Sequence, residues 1–529
     1  MPRAAGAVLV VAAAVAVGTT SCTASVPHNA QAHVRLAART RRPASGTSVL
    51  AGAPDVVAEG VAQKLFASAP VVVVVNPSRA ADLTTAASQA LQVHAPLLLT
   101  SALTGGAGSG GATTMAVRIA ARTVSGRSSS TAAAASAALR ARIRALDVRT
   151  ILAVGVAGNV LGAQLPGIRV VTDPTMLPAT KAPVPVGRLA LLVRAGDTDA
   201  ATLAAVTTAR VAGAQVITVR GDDPRADPAA VAALSAARPE QVLAIGAGFG
   251  PASRLASRIA VAETGVQLPG GGQVLFPGRL LVALYGYPGT PALGALGQQG
   301  LQASIARARR VAAPYRALSK VPVIPAFEII ATVAEAHPGP DGDYSYESPV
   351  ASLRPWVRRA TAAGMYVILD LQAGRASLLA QAERYQSLLE LPDVGLALDP
   401  EWKLQPGQLP LQQIGSVSSS QVNSVISWLA RLTAQHKLPQ KLLVLHQFRL
   451  SMIRDEQKLD TRYDDLAILI HMDGQGTPAD KQQTWEAITG AAPAGVFFGW
   501  KNFYTKDHPM LSPRQTMART PRLSMVSYQ

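Results

Sequence analysis

Short, unbroken apolar runs separated by longer Ala-rich stretches pattern the first half of the chain. The runs include "VVVVV" (71–75), "PLLLT" (96–100), "TILAV" (150–154), "LALLV" (189–193), "QVITV" (215–219) and "QVLAI" (241–245). Strands apolar at every position suit a parallel sheet covered on both faces, whereas a sheet with one wet face alternates. The Ala-rich stretches between them predict helices. From about 50 to 265 the order strand–helix–strand, then helix–strand–Gly turn, occurs twice, and "RTILAVGVAGNV" (149–160) aligns with "EQVLAIGAGFGP" (240–251). The expectation is a doubly repeated, parallel, Rossmann-like α/β module over 49–268. Neither Gly turn is a G-x-G-x-x-G fingerprint with an acidic residue ~20 positions on, so the glycines are read as tight strand-to-helix turns and no nucleotide cofactor is expected.

The Gly/Pro-rich "PGGGQVLFPG" (269–278) marks a boundary. Beyond it eight apolar runs follow: 279–286, 321–330, 365–372, 394–402, 441–448, 466–474, 494–502 and 522–529. Most gaps hold an amphipathic stretch such as "QVNSVISWLARLTAQHK" (421–437). Eight strand–helix units over 279–529 match the ~250 residues of a (β/α)8 barrel, and the expected fold class is therefore α/β throughout.

Polar residues gather at the C-terminal ends of these runs, where barrels place their chemistry. They are Tyr285 and Tyr287 on the first, Glu328 on the second, Asp370 on the third, and Asp399, Glu401 and Trp402 on the fourth. His446 and Gln447 end the fifth, His471 and Asp473 the sixth, and Trp500, Lys501 and Asn502 the seventh. In "VGLALDPEW" (394–402) the two acids are i, i+2 on a strand and are expected to point to one side, ~7 Å apart. Mutual repulsion there raises one pKa, the condition for general acid/base chemistry. Glu401 is the expected general acid, Asp399 its electrostatic partner, and Asp370 or Asp473 the second carboxylate. Glu328, the histidines, Gln447, Lys501 and Asn502 are expected to orient substrate or carboxylates, and Tyr285, Tyr287, Trp402 and Trp500 to stack on sugar rings. No zinc spacing and no G-x-S-x-G elbow occurs, so neither a metal site nor a serine nucleophile is expected.

Charge and the N-terminus add location. The chain carries 49 Lys+Arg against 32 Asp+Glu, a net charge of +17, which favours anionic partners. No basic run interleaved with aromatics argues for nucleic acid. "MPRAAGAVLVVAAAVAVGTTSC" has a basic start, a short apolar core and small residues, the layout of a secretory signal. Cys22 is the only cysteine. Residues 23–48, polar and basic, predict a flexible tether.

Three resemblances follow. The segment ending in Cys22 resembles a bacterial lipoprotein signal, with Thr19 where that pattern prefers Leu, and implies a lipid anchor at Cys22 on the extracytoplasmic face of the cell membrane. "VVVVVNPSRAADLTTAASQALQVHAPLLLTSA" with "LRARIRALDVRTILAVGVAGNV" resembles the cell wall-binding repeat, type 2, through Ala95–Thr100 and Val154–Val160. That implies non-covalent attachment to anionic wall polymers. The Asp-Arg-Tyr-x-Thr-Ala signature of that family is missing, so no binding residues carry over. The barrel resembles glycoside hydrolases in layout. Its fourth strand matches the last part of the chitinase-type D-x-x-D-x-D-x-E, in which the final Glu is the acid, but Val394 and Ala397 stand at the upstream aspartates. The expected protein is an exported, lipid-anchored envelope protein. Its barrel is read as hydrolysing a wall or capsule polysaccharide, or as binding it without catalysis. No obligate protein partner is expected.

Overall fold

The computed structural model describes residues 35–100 and 137–529. The signal-like segment, Cys22 and the 23–34 part of the tether lie outside the described residues. Among the described residues no helix is long and apolar enough to cross a membrane.

The N-terminal half contains two four-stranded parallel sheets. Across the first, the order is Leu97–Leu99, Val71–Val75, Thr150–Val154, Arg169–Val171. Across the second it is Gly46–Leu50, Gln241–Ile245, Leu189–Arg194, Gln215–Val219. The valine run explains itself. Val71, Val73 and Val75 pack with Leu83, Ala86 and Ala90 of the helix Ala80–Gln92, while Val72 and Val74 pack with Val57, Val61 and Ile143 on the opposite face. Both faces are covered, so every position must be apolar.

The tether reading fails over 35–48. Gly46–Leu50 pairs in register with Gln241–Ile245, Arg39–Thr40 pairs with Phe66–Ser68, and the Leu36 amide donates to the Ala179 carbonyl. The strand Gly46–Leu50 is an edge strand, half-exposed along its length, so polar residues are tolerated and its composition resembles that of a linker.

The C-terminal half is a closed barrel of eight parallel strands: β1 (Leu280–Gly286), β2 (Val323–Ala334), β3 (Tyr366–Leu371), β4 (Val394–Leu398), β5 (Lys441–Gln447), β6 (Leu466–Met472), β7 (Phe497–Asn502) and β8 (Leu523–Tyr528). Neighbours follow chain order, and β1 closes on β8 from Leu281↔Met525 to Leu284↔Tyr528. All eight apolar runs are strands, as the periodicity predicts. Helices Leu301–Ala312, Val350–Ala362, Ser419–Gln435 and Pro478–Ala491 cover the outside. Between β5 and β6 no α-helix intervenes, only two 3-10 turns and the short strand Ile453–Arg454, so the strand–helix alternation is broken there.

The Gly/Pro segment is more than a boundary. Leu268, Leu275 and Phe276 join the same buried cluster as Leu281, Ile324, Leu442 and Met525 inside the barrel, and Phe276 packs on Phe497 with ring centroids 5.1 Å apart. The Arg279 guanidinium ties the segment by donating to the carbonyls of Gly271 (2.7 Å), Val274 (3.1 Å) and Leu275 (3.2 Å). Gln440 receives the Leu275 amide at 2.9 Å. The segment thus floors the barrel at its N-terminal end. Arg258 and Arg225 of the N-terminal half reach Asp464 just before β6, at 2.6 and 3.0 Å. With the floor and lower interior apolar, the polar groups inside the barrel crowd toward its C-terminal mouth.

Phe276 is 2% exposed, so Phe276→Ala is expected to cost the barrel ~3–4 kcal/mol through lost burial and a cavity at its base. Urea unfolding followed by tryptophan fluorescence checks this; a loss under ~1 kcal/mol would show that the floor does not hold the barrel.

Candidate active site

Strand β4 stops at Leu398, before the carboxylate pair. Pro400 cannot continue a strand ladder, and its fixed φ suits the first position of a helical turn. The chain turns into a 3-10 helix over Pro400–Trp402. The i, i+2 strand geometry expected for Asp399 and Glu401 is therefore replaced by a turn, and both side chains line one cavity of about 580 Å3 at the barrel mouth. Asp399 makes no capping bond to the turn, and its Oδ1 is buried without a partner. Lys403 donates to the carbonyls of Gly374 and Leu404, and Lys501 pairs with Asp473, so neither lysine forms an ion pair with Glu401.

Below the cavity lies a buried charged cluster centred on His446 of β5. Its Nε2 is 3.0 Å from Glu328 Oε1 of β2 and 3.8 Å from Asp370 Oδ1 of β3, and its Nδ1 is 3.1 Å from Asp473 Oδ2 beyond β6. The Lys501 ammonium of β7 reaches Asp473 at 3.1 Å and sits 3.5 Å from the centre of the Tyr285 ring. The Tyr285 hydroxyl donates to Asp370 at 2.9 Å. His471 packs edge-on against His446 with centroids 5.1 Å apart, its Nε2 3.2 Å from Ser527 Oγ. Gly499 makes room for that ring, since a Cβ there would overlap it.

The surroundings drive the carboxylates apart. Burial alone would raise Asp473, but Lys501 and His446 outweigh it and hold that carboxyl well below the usual range. Glu328 is likewise lowered, His446 overcoming burial. For His446 burial opposes the charge, yet Glu328 and Asp473 hold the imidazole well above its usual value, so it is an imidazolium. His471 is pushed down to about 3, chiefly by burial, and is neutral. Asp370 is raised to about 6 by burial. Glu401 is raised to about 7 by burial and then by Asp473, and Asp399 lies well above the carboxylate range through burial and then Glu401. One mouth thus holds an ionised Asp473 beside two carboxyls that resist ionisation, the separation that acid and base roles need.

Not every residue expected at the site faces the cavity. Asp399, Glu401, Trp402, Asp473, Lys501 and Tyr285 line it. Glu328, Asp370, His446 and His471 lie buried in the layer beneath. Trp500 is fully buried; its ring packs on Trp485 and its N–H donates to Asn502, so neither it nor Asn502 can meet a sugar. One face of Tyr285 is occupied by Lys501, which corrects its expected stacking role to a hydrogen-bonding one. Gln447 is buried against Glu456, and Tyr287 lies outside the cavity lining. Phe448, Arg449, Phe503 and Lys506 line the cavity and were not among the expected residues. They follow β5 and β7 by one to four positions, so extending each strand end into its loop would have found them.

One oxygen each from Asp399, Glu401 and Asp473 lies within 4.8 Å of the others, as do oxygens of Asp341 and Asp343 on the loop after β2 and Glu347 on the short strand Ser345–Glu347 that follows it. Either set has the donor type for a hard cation. At the mouth, the Lys501 ammonium already supplies positive charge to Asp473.

Fold and site define an eight-stranded parallel α/β barrel with an acid–histidine–lysine cluster at its C-terminal mouth, preceded by parallel α/β sheets. No protein-family model matches the chain, and no curated protein matches it. Among solved structures it is similar to Cwp6 from Clostridium difficile, with a TM-score of 0.28 and 11% identity over 70% of this chain and 65% of that one.

The Glu401 shift predicts a pH-dependent stability. Its folded value of about 7 exceeds its ordinary 4.5, so between these the folded state binds more protons than the unfolded one, and stability falls as pH rises through that window. Glu401→Gln removes the buried ionisation and is expected to stabilise the fold at pH 8 by on the order of 2 kcal/mol, with no such gain at pH 4. Urea titrations at both pH values test it; an equal effect at both would place Glu401 in an ordinary environment.

Proposed function

We propose that the barrel is a glycoside hydrolase acting on a wall or capsule polysaccharide, with Glu401 as general acid and Asp473 as the second carboxylate. The observation that carries this reading is the pair itself: oxygens within 4.8 Å, one carboxyl held ionised and the other protonated up to about pH 7. With one oxygen of each carboxyl within 4.8 Å of the other, the pair favours the closer spacing (~5–5.5 Å) of retaining hydrolysis over the ~6.5–9.5 Å of inverting hydrolysis. In the first step Asp473 attacks the anomeric carbon while Glu401 gives its proton to the departing glycosidic oxygen. In the second, Glu401 takes a proton from water, the hydroxide adds to the anomeric carbon, and Asp473 leaves. His446 and Lys501 keep Asp473 ionised and in place. Asp399, neutral, donates a hydrogen bond to the sugar, and half-buried Trp402 offers the stacking face.

The same ion pairing favours a second reading. A carboxylate held by both Lys501 and His446 is stabilised as a structural anion, which suits a barrel that binds glycan without cleaving it.

For the N-terminal half we infer the doubly repeated wall-binding module. The support is topological: both sheets have one strand order if Gly46–Leu50 takes, in the second sheet, the place that Arg169–Val171 takes in the first. With the signal-like N-terminus and Cys22, this makes the protein an exported, lipid-anchored component of the cell envelope.

Release of reducing ends from purified wall and capsule glycans tests the hydrolase reading. Glu401→Gln and Asp473→Asn are each expected to lower kcat/KM by about 10²–10⁴. For the parent, kcat/KM should fall above about pH 7, as Glu401 loses the proton it must donate. If the variants match the parent, the assigned chemistry is wrong; if all three bind glycan and none releases sugar, the binding reading stands.

A further inference from the structure

The cavity does not end at Glu401. A groove of about 360 Å3 continues past it along Leu404, Pro410, Gln412 and Ile414, and shares Glu401, Trp402 and Arg449 with the cavity. Both volumes fall in the ~300–1,000 Å3 range of ligand sites. The two adjoin at the acid, which lines both, and we treat them as the two arms of one cleft.

The cations in and below this cleft fall into two sets. Lys501 and His446 lie deep and are committed to Asp473 and Glu328. Arg449 and Lys506 are exposed at the mouth, and among the described residues neither forms an ion pair; each only lies against a neighbouring ring, Phe448 or Phe503. Arg449 borders both arms, and Lys506 borders the cavity arm. Resting on the hydrolase reading, we propose that this cleft binds an acidic polysaccharide and cuts it internally, with Arg449 pairing the anionic group of a sugar unit beside the scissile bond and Lys506 pairing another.

The chemistry favours a charged sugar over a neutral one. Hydroxyls need only amides and neutral donors, and Gln412, Gln413 and Gln475 already supply these along the cleft. A free guanidinium is a planar fork that matches the two oxygens of a carboxylate or phosphate. The acids Asp399 and Asp473 are buried, at 1% and 9% exposure, whereas the two free cations are at the entrance. An anionic substituent therefore meets positive charge at the rim while the anomeric carbon sits over the acids. The net charge of +17 adds long-range attraction for a polyanion. Because the cleft runs on both sides of Glu401, sugar units on both sides of the cleaved bond are accommodated, as internal cleavage requires.

Carboxylate and phosphate share this recognition, and the test separates them. The probe is the acidic fraction of envelope glycan in three forms: untreated, with its carboxylates reduced to alcohols, and dephosphorylated. Binding is measured by calorimetry on the Glu401→Gln protein, alone and combined with Arg449→Gln or Arg449→Lys. The expected result is at least tenfold weaker binding of one treated form, which identifies the anionic group. Arg449→Gln should shrink that preference to under threefold, and Arg449→Lys should restore part of it. Equal binding of all three forms, a preference unmoved by Arg449→Gln, or no binding at all would overturn the proposal. Reducing-end release by the parent is read separately, with product length: a mixture of long oligosaccharides is expected, and single sugars only would overturn internal cleavage. No release from any form removes the hydrolase reading and internal cleavage with it, while the binding ratios still decide the preference for an acidic glycan.

Discussion

A buried imidazolium organises the barrel mouth. His446 bridges Glu328 and Asp473, with Asp370 at the edge of its reach and Lys501 reinforcing the Asp473 side. Two cations are thus shared among the deep carboxylates, and they favour Glu328 and Asp473. What they leave over determines the rest. Asp399 and Glu401, without an ion-pair partner of their own, face the cavity with their protons retained. Breaking such a cluster on one side leaves an uncompensated buried charge, typically at a cost of ~3–5 kcal/mol, so its members are mutually dependent. The acid role of Glu401 is in this sense a consequence of where His446 and Lys501 spend their charge.

The rest of the barrel keeps that cluster dry and in place. Phe276 and Leu275 close the floor, and the strand interiors above them are apolar. The neutral His471 and buried Trp500 fill space beside the charged layer, and Gly499 lets the His471 ring pass close to the backbone. The Tyr285 hydroxyl meets Asp370 from β1, so five strands, β1, β2, β3, β5 and β7, converge on one buried network. Several buried polar atoms of this layer, among them Glu328 Oε2, Asp370 Oδ1 and Asp399 Oδ1, have no hydrogen-bond partner within the protein, and of these three residues Asp399 is the one that lines the cavity, where a ligand could complete it.

Much of this was legible in the sequence because barrel strands write themselves as apolar runs with polar ends. All eight runs and the clustering of acids and histidines at one rim could be read that way. Side-chain direction could not. Trp500 and Lys501 are adjacent on β7, yet one turns into the outer core and the other into the mouth, and only packing against Trp485 and Asp473 decides which. Pro400 ended β4 earlier than the apolar pattern alone suggested, and the turn, not strand alternation, aims the pair. The floor segment and the edge strand Gly46–Leu50 escaped for a different reason: Gly, Pro and polar residues read as linker, although tertiary contacts hold both. Arg449 and Lys506 lie just beyond strand ends, where the apolar pattern stops, so they could be found only by following the chain past each run.

The account turns on one carboxyl keeping its proton while its neighbour does not. Carbon-13 NMR titration of the side-chain carboxyls, with Glu401 assigned by its loss in Glu401→Gln and Asp473 by its loss in Asp473→Asn, measures this directly. The prediction is a glutamate signal titrating at about 7 and an aspartate signal still ionised well below the usual carboxylate range. Ordinary titration of both near pH 4 would contradict it.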